Sequence, residues 1–288
     1  MKLTWTRRLH PGNFRGRLTL WFGLLSLATV MSVGLYIGRI ATQEIADFGG
    51  QALQVNARSV AGMLMTHGTE RGKEVHLLQR ILITMPGGLD NPALSELFTL
   101  RQQTYDEYAW VGVVDPSGTV RQASQGMLVG AKVAQQPWFQ AALKGPYVGD
   151  MHKAVLRAKQ TERREPEEHL NSVDLAMPIL DERGRVRGVL ATSADWSQAT
   201  RALETMVTQN MAQRQAEVLL ADLSGNIVYP RKHVGSLQVP QRQDPTAPFE
   251  VLRWNDGQDY LTSMVDLPAK DGMPWSWRIV SRQPLAGT

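Results

Sequence analysis

The residues best suited to binding a small molecule lie in the stretch VAQQPWFQAALKGPYVGDMHKA, residues 133–154. Its candidate ligand-binding side chains are Gln136, Trp138, Phe139, Asp150 and His152. Aromatic faces with a few convergent polar groups are typical of ligand pockets. Two alternatives stay open: the aromatic pair can be ordinary core, and the Asp and His can cap the backbone of their own loop.

The first apolar run of the same region, YAWVGVV, adds Tyr108 and Trp110 to the candidate ligand-binding residues. Strand alternation places Trp110 on one face with Gly112 and Val114. A glycine beside the indole leaves room either for a ligand or for packing of the ring itself. We therefore expect this strand to border the predicted pocket.

Two aspartates on later predicted strands complete the candidate set. Asp174 opens the strand DLAMPI, and Asp195 lies at the end of the strand that closes with TSAD. A carboxylate in either place can hold a polar or cationic ligand group. The structural alternatives are a strand-end residue for Asp174 and a helix N-cap for Asp195.

The sequence lacks the residue patterns of common enzymes. The six histidines show no HExxH or other metal-ligand spacing, and no nucleophile elbow, phosphate-binding loop or kinase signature occurs. There is no cysteine, which excludes thiolate chemistry. We expect a binding protein rather than an enzyme, with no catalytic residue, metal or cofactor, and we give an anchored hydrolase little weight.

The strands that carry these residues belong to a repeat. VVDPSGTV at 113–120 and LADLSGNIV at 220–228 share an apolar run, an Asp, a Ser-Gly pair and a second apolar run. The pattern predicts a β-hairpin in which the Asp accepts hydrogen bonds from the turn and the Gly adopts positive φ. The two copies are about one domain length apart, so the repeat indicates two related domains in tandem.

The N-terminus predicts a membrane anchor. Residues 1–17 hold five basic and no acidic residues, and 18–38, LTLWFGLLSLATVMSVGLYIG, carry no charge. At 1.5 Å per residue this run spans roughly 30 Å, the thickness of a bilayer core. A cleaved signal peptide is the alternative, but its apolar region is shorter. The positive-inside rule places the tail in the cytoplasm and everything after Arg39 on the other side of the membrane.

The charge distribution argues against nucleic acid as a partner. The chain has 31 basic and 27 acidic residues, a formal net charge of +4. The excess lies in the N-terminal tail, and the remainder is nearly neutral. The mixed run RAKQTERREPEEH, 157–169, is typical of a solvated loop.

A long helix is predicted over 39–84. One apolar stripe, with Phe48 and Val55, drifts into a second with Leu53, Ala57 and Val60. Such a stalk can transmit displacement from a membrane span and can form a homodimer, or it can simply pack against its own domain.

The resulting prediction is an α+β chain: a transmembrane helix and a long stalk helix, then two tandem PAS-like antiparallel-sheet modules. The predicted boundaries are a basic tail at 1–17, a span at 18–38, a stalk at 39–84, a first module at 85–196 and a second module at 197–288. The loop after the second hairpin is shorter and poorer in convergent polar and aromatic side chains than its counterpart in the first module, so we expect any pocket in the first.

At about residues 15–288 the chain resembles the double Cache extracytoplasmic sensor domains of bacterial receptors. The resemblance rests on YAWVGVVDPSGTV, VAQQPWFQAALKGPYVGDMHKA, VDLAMPILDERGRVRGVLATSADW and WSWRIVSRQP in that order. It is greatest to the sensors ahead of GGDEF diguanylate cyclases; others serve histidine kinases and chemoreceptors. The resemblance implies that 85–196 is the membrane-distal module and holds the ligand.

The resemblance also implies specific roles. Family members that bind amino acids grip the carboxylate with an Arg two positions before the Trp and the amino group with an Asp near the end of the module. Trp138, Phe139 and Asp195 match, but Gln136 stands at the Arg position. A neutral amide replaces a bidentate cation there, which argues against amino acids and favours a neutral or polar ligand.

Two functional hypotheses follow. The first is a membrane-anchored sensor that binds a small molecule in the first module and passes a conformational signal to an output domain or partner. The second is a ligand-free module that dimerises through residues 40–66 or docks a partner receptor. No output domain precedes Thr288, so we expect either a piece of a longer receptor or a sensor that acts through a partner.

Overall fold

The computed structural model describes residues 14–104, 108–149, 172–196, 200, 204, 216–270 and 272–285. The side chains of Arg15 and of residues 39–46 lie outside this description. The chain divides into two compact units, residues 1–49 and 50–288. Asp150 and His152, two of the predicted ligand-binding residues, also lie outside the described residues.

Helix α1, Phe14–Thr84, runs through the predicted span and stalk. Within it, Gly16–Gly38 is long and apolar enough to cross a membrane, and its side chains are exposed. An N-terminal signal sequence can meet the same criteria of length and apolarity. The apolar N-terminal helix expected from the sequence is therefore present.

The part of α1 in the second unit packs one face against the modules. Leu53, Ala57 and Val60 of the second predicted stripe are buried, whereas Val55 of the first is exposed. A Cβ at Gly68 would lie 2.6 Å from the Trp275 ring, so the absence of a side chain permits this close approach. The stalk therefore packs against its own domain, as one of the two alternatives predicted.

Two five-stranded antiparallel sheets follow, preceded by helix α2, Ala93–Thr104. The strands of the first module are β1 Tyr108–Val114, β2 Val120–Ala123, β3 Tyr147–Val148, β4 Ser172–Leu180 and β5 Val186–Asp195. Helix α3, Pro137–Ala142, lies between β2 and β3 in the chain. The strand order in the sheet is β2-β1-β5-β4-β3.

The second module repeats this topology. Its strands are β6 Glu217–Asp222, β7 Ile227–Tyr229, β8 Glu250–Arg253, β9 Asp259–Asp266 and β10 Trp277–Pro284. Their order, β7-β6-β10-β9-β8, corresponds strand for strand to that of the first sheet. The predicted α+β fold with tandem PAS-like modules is confirmed.

The repeated Asp turns form as the sequence predicts. Asp115 Oδ1 accepts hydrogen bonds from the backbone N–H groups of Ser117 and Thr119 at 2.9 and 3.0 Å. Asp222 Oδ1 accepts from the Asn226 N–H at 2.8 Å. The glycine of each turn has positive φ, 82° and 89°. Both hairpins are thus specified by local chemistry.

Each sheet has two apolar faces. One face of each sheet contributes to a shared core with α1 and α2. The opposite face, which we call the outer face, carries its own apolar cluster in each module. In the first module this cluster includes Trp110, Trp138 and Phe139, so the outer face is where the predicted site residues gather.

Candidate ligand site on the outer face of the first sheet

Helix α3 places the aromatic pair over the sheet. Pro137 at its first turn fixes a backbone angle suited to a helix start. Trp138 and Phe139 are both buried, and their ring centroids lie 5.9 Å apart at 90°. The Trp138 ring also lies 6.5 Å from that of Trp110. The two rings therefore belong to the apolar core of the outer face, as one of the two alternatives predicts, and their contact with a ligand stays a prediction.

A row of very small residues crosses the sheet beneath these rings. Gly112 lies opposite Ala191, which lies opposite Ala176, and Ala176 lies opposite Tyr147 at the edge strand. Ala191 and Ala176 belong to the same cluster as Trp110 and Trp138. This row keeps the backbone of three central strands close to the aromatic side chains.

Two polar cross-strand pairs continue the same face. Asp174 lies opposite Ser193, and Ser172 lies opposite Asp195. Strand alternation points all four side chains to the side of Ala176 and Ala191. Both aspartates are partly exposed. The structure thus brings the two predicted carboxylates to one face, beside the small-residue row.

The glycine beside Trp110 accommodates the indole itself. A Cβ on Gly112 would lie 2.3 Å from Cζ2 of Trp110, so the ring lies across the glycine. The indole Nε1 donates to the Met127 carbonyl at 3.2 Å. Of the two alternatives, packing of the ring explains this glycine. Trp110, Gly112 and Val114 share the outer face as predicted.

Gln136 is the N-cap of α3 and is partly exposed. Its side chain makes no capping hydrogen bond to the helix. Its backbone carbonyl accepts hydrogen bonds from Phe139 and Gln140 at 3.1 and 3.2 Å. The residue is therefore held by its backbone next to the aromatic pair.

Tyr108 does not join this group. The register of β1 against β5 shifts between Tyr108 and Trp110, and this irregularity puts two residues of equal parity on opposite faces. Tyr108 belongs to the shared core, where its hydroxyl donates to Glu74 Oε2 at 2.5 Å. Burial and this hydrogen bond raise the pKa of Tyr108. The tyrosine ties β1 to α1 instead of facing the outer site.

The outer face of the second sheet is filled differently. The positions that match Gly112, Ala191 and Ala176 hold Leu219, Val280 and Met264, since Leu219 and Met264 both lie opposite Val280. These three larger side chains are buried in one cluster.

Beside them lies a charged cluster that sequence reasoning missed. Arg282 is only 4% exposed, and its guanidinium donates to Glu217 and Asp256. Trp254 and Tyr260 flank it. These partners lie on β6, on β9 and in the β8–β9 turn, outside the loop that the sequence predicts to be poor in convergent polar groups. Alternation with Val280 gave the available signal, because it places Arg282 on an apolar face.

The described residues include no group of three or more His, Asp or Glu arranged to hold a metal ion. The outer face of the first module offers carboxylates, a hydroxyl and aromatic rings. These groups can bind a small molecule through hydrogen bonds, charge and stacking.

No protein-family model matches the chain, and no curated protein matches it. Several solved structures, in contrast, are similar to the chain. The ligand-binding domain of the Pseudomonas fluorescens chemoreceptor CtaA, in complex with L-alanine, has a TM-score of 0.58 at 16% identity and covers 82% of this chain and 97% of its own. That of the Pseudomonas aeruginosa PAO1 amino acid chemoreceptor PctC, in complex with GABA, has a TM-score of 0.58 at 15% identity, with 83% and 99% covered.

A third similar structure comes from a different class of receptor. The sensor domain of the V. cholerae histidine kinase DctB has a TM-score of 0.56 at 13% identity and covers 81% of this chain and 96% of its own. All three are sensor or ligand-binding domains, and each covers 81–83% of this chain. The chain therefore has the fold of the double Cache sensor domains of bacterial chemoreceptors and histidine kinases, as its sequence predicts.

Proposed function

We propose that this protein is a membrane-anchored extracytoplasmic sensor that binds a small organic ligand on the outer face of its first module. The observation that carries the proposal is the row Gly112, Ala191 and Ala176 together with the pair Asp174 and Ser193, which lies beside the row, two residues away along β4 and β5. Aromatic side chains border this row. Small residues beside convergent polar groups are what a ligand pocket on a sheet requires.

The second module supports this assignment by contrast. At the matching row its outer face holds Leu219, Val280 and Met264, which fill the space with apolar side chains. The same fold thus has one sheet face with small side chains and one with large ones. We assign ligand binding to the face with the small side chains.

The proposed ligand carries a cationic group such as an amine. Strand segments 172–178 and 189–195 contain two aspartates, Asp174 and Asp195, and no lysine or arginine. Carboxylates favour a charged donor, and the nearby indoles favour a cation over their faces. The neutral Gln136 makes a free carboxylate a less favoured part of the ligand.

Contacts between the first module and α1 support a route for the signal. The Tyr108 hydroxyl of β1 donates to Glu74 of α1, and the Gln79 side chain of α1 donates to the Pro178 carbonyl of β4 at 2.5 Å. Both strands also carry outer-face residues. We propose that ligand binding shifts a two-state equilibrium of the sheet and that α1 carries the shift toward the span, with the N-terminal tail in the cytoplasm.

A homodimer through α1 is the second candidate role. Val55 and Leu77 on α1 are large apolar residues left more than half exposed. If the chain is a ligand-free dimerisation module, polar substitutions at Val55 or Leu77 would break the dimer. No small molecule would then bind the protein. Light scattering of the full chain in detergent, with and without Val55→Glu, measures this.

The test of the sensor role is thermal unfolding of the full chain in detergent against amines, amino acids, polyamines, organic acids and purines. At 100 times its Kd a ligand should stabilise the fold by about 2.7 kcal/mol, a shift of several degrees. We expect a cationic member to give this shift, and Asp195→Asn or Trp138→Ala to abolish it. Asp181→Asn, which weakens a turn outside the face, is the control and should keep it. A panel without any shift would favour the dimerisation role.

A further inference from the structure

The outer face of the second sheet contains a cation site that matches the first module's site in position. Glu217 of β6 lies opposite Arg282 of β10, just as Trp110 of β1 lies opposite Ser193 of β5. Arg282 also lies opposite Thr262 of β9, as Ser193 lies opposite Asp174 of β4. The side chain of Arg282 therefore extends from the position that corresponds to Ser193, at the proposed ligand site of the first module.

Two aromatic rings enclose the Arg282 guanidinium. Its central carbon lies 4.3 Å from the centroid of the Trp254 ring and 4.2 Å from that of the Tyr260 ring. The two rings are 5.9 Å apart at 66°, an open wedge with the cation within it. A cation over two ring faces in a partly desolvated place is a recognised way to bind organic cations.

Two carboxylates complete the site. Arg282 Nε and Nη2 donate to Glu217 Oε2 at 3.2 and 2.9 Å, and Nη1 donates to Asp256 Oδ2 at 3.2 Å. Asp256 is oriented in turn by the Tyr260 hydroxyl, which donates to the same oxygen at 3.0 Å. The planar fork of a guanidinium fits such an arrangement better than a point charge does.

The site is also surrounded by groups that hold Glu217 ionised. Glu217 Oε1 lies 2.7 Å from Lys232 Nζ and 2.7 Å from His233 Nε2. Trp254, on the opposite side, is fixed by its Nε1 donating to the Thr262 hydroxyl at 3.2 Å. Carboxylates and rings are thus all positioned by partners other than Arg282, so they are arranged to receive a cation.

We propose that the second module carries a guanidinium-binding site that its own Arg282 occupies as an internal ligand. The side chain takes the place of a small molecule and holds β10 to β6 and to the β8–β9 turn. A compact guanidinium compound is the class of ligand that would enter if the side chain were removed. This inference goes beyond the proposed function of the first module and does not depend on it.

The test is chemical rescue of Arg282→Ala in the full chain in detergent, with methylguanidinium as the probe and sodium chloride matching its ionic strength. We expect a melting temperature lower by several degrees, and a saturable recovery in methylguanidinium at low millimolar concentration. Methylammonium should recover much less, because it lacks the planar fork. Methylguanidinium should not raise the melting temperature of the wild-type protein in a saturable way, since Arg282 already fills the site.

Arg278→Ala is the matched control. Arg278 lies on the same strand and pairs with Asp266, but it lies outside the aromatic wedge. Methylguanidinium should not raise its melting temperature in a saturable way. Equal responses of Arg278→Ala and Arg282→Ala would overturn the proposal, and so would a folded Arg282→Ala protein that shows no saturable recovery.

Arg282→Lys carries the test if Arg282→Ala does not fold. It keeps the charge and most of the apolar stem but loses the fork and the flat face. The internal-ligand proposal predicts a melting temperature clearly below that of Arg278→Lys. An Arg282→Lys protein as stable as the wild type would mean that only charge matters, and this would overturn the proposal.

Discussion

Trp110 and Glu217 occupy corresponding places in the two sheets, because Trp110 lies opposite Ser193 of β5 and Glu217 lies opposite Arg282 of β10. In the first module an indole lies there beside a serine, and in the second a carboxylate holds an arginine. The two faces differ at this pair of cross-strand positions and also along the row Gly112, Ala191 and Ala176, which larger side chains replace in the second module. This relation suggests how to close the first site by mutation.

Ser193→Arg should abolish ligand binding in the first module. The new side chain would start at the place of Arg282 and lie opposite both Trp110 and Asp174. The ligand-induced rise in melting temperature should fall from several degrees to none. Ser193→Ala is the control and should keep the shift. An unchanged ligand shift in Ser193→Arg would show that the ligand binds elsewhere.

Replacing two glycines of α1 by alanine should change the unfolding free energy in opposite directions. A Cβ at Gly68 would lie 2.6 Å from the buried Trp275 ring, so Gly68→Ala should cost about 1–3 kcal/mol of unfolding free energy through overpacking. At Gly62 the same Cβ meets nothing within 4 Å, so Gly62→Ala should gain about 0.5–1 kcal/mol from helix propensity. Urea unfolding of the full chain measures both. Equal effects would contradict the packing of α1 described above.

Stability should fall in acid partly through Glu217. Burial raises the pKa of Glu217, but hydrogen bonds from Lys232, His233 and Arg282 outweigh it and lower the pKa to about 2. Because the folded pKa lies below the ordinary value of 4.5, this contribution is present above about pH 4.5 and is lost as the pH falls toward 2.

The measurement is the urea midpoint of Glu217→Gln and of the wild type between pH 5 and pH 2. We expect the variant to be less stable near pH 5 and to lose less stability toward pH 2. Tyr108→Phe, a change in the first module, should lose urea midpoint with falling pH at the same rate as the wild type over this range. A Glu217→Gln curve parallel to the wild type would exclude the carboxylate as a source of acid lability.

The hydrogen bond between Tyr108 and Glu74 should contribute about 1 kcal/mol to stability. Tyr108→Phe removes the donor, while Glu74 keeps Arg71 and Arg101 as ion-pair partners at 2.9 and 3.0 Å. The pKa of the Tyr108 hydroxyl is raised above 10.0 by burial and by Glu74, so its contribution to stability is fully present below pH 10 and declines as the pH rises from there toward the raised pKa of the folded protein. The wild type should therefore lose its advantage over Tyr108→Phe in alkaline urea titrations; a constant difference would contradict this.

The hairpins are the part of the fold that the sequence predicts best. Asp115 and Asp222 each lie at the start of a turn and bond to N–H groups two to four residues away. Those partners are close in the chain, so residue type and spacing suffice to predict them. The antiparallel sheets and the end of α1 before the Pro-Gly-Gly segment follow from equally local signals.

The face of the sheet on which each site residue lies depends on packing between segments that are distant in the chain. Alternation alone puts Tyr108 and Trp110 on one side of β1, but the register shift between them separates the two. An irregularity of this kind depends on the partner strand, and β5 is nearly 80 residues away in the sequence. Asp174 and Asp195 lie on one face because β4 and β5, which are consecutive in the chain, pair in the sheet.

The Arg282 site was decided by tertiary structure alone. Its carboxylates and rings come from β6, β9 and the turn between β8 and β9, and Glu217 precedes Arg282 by 65 residues. Composition and alternation determined two modules, an apolar N-terminal helix and the positions of the candidate residues. Which sheet face holds small side chains and which holds its own guanidinium depends on cross-strand register, because only the register brings residues distant in the chain to one place.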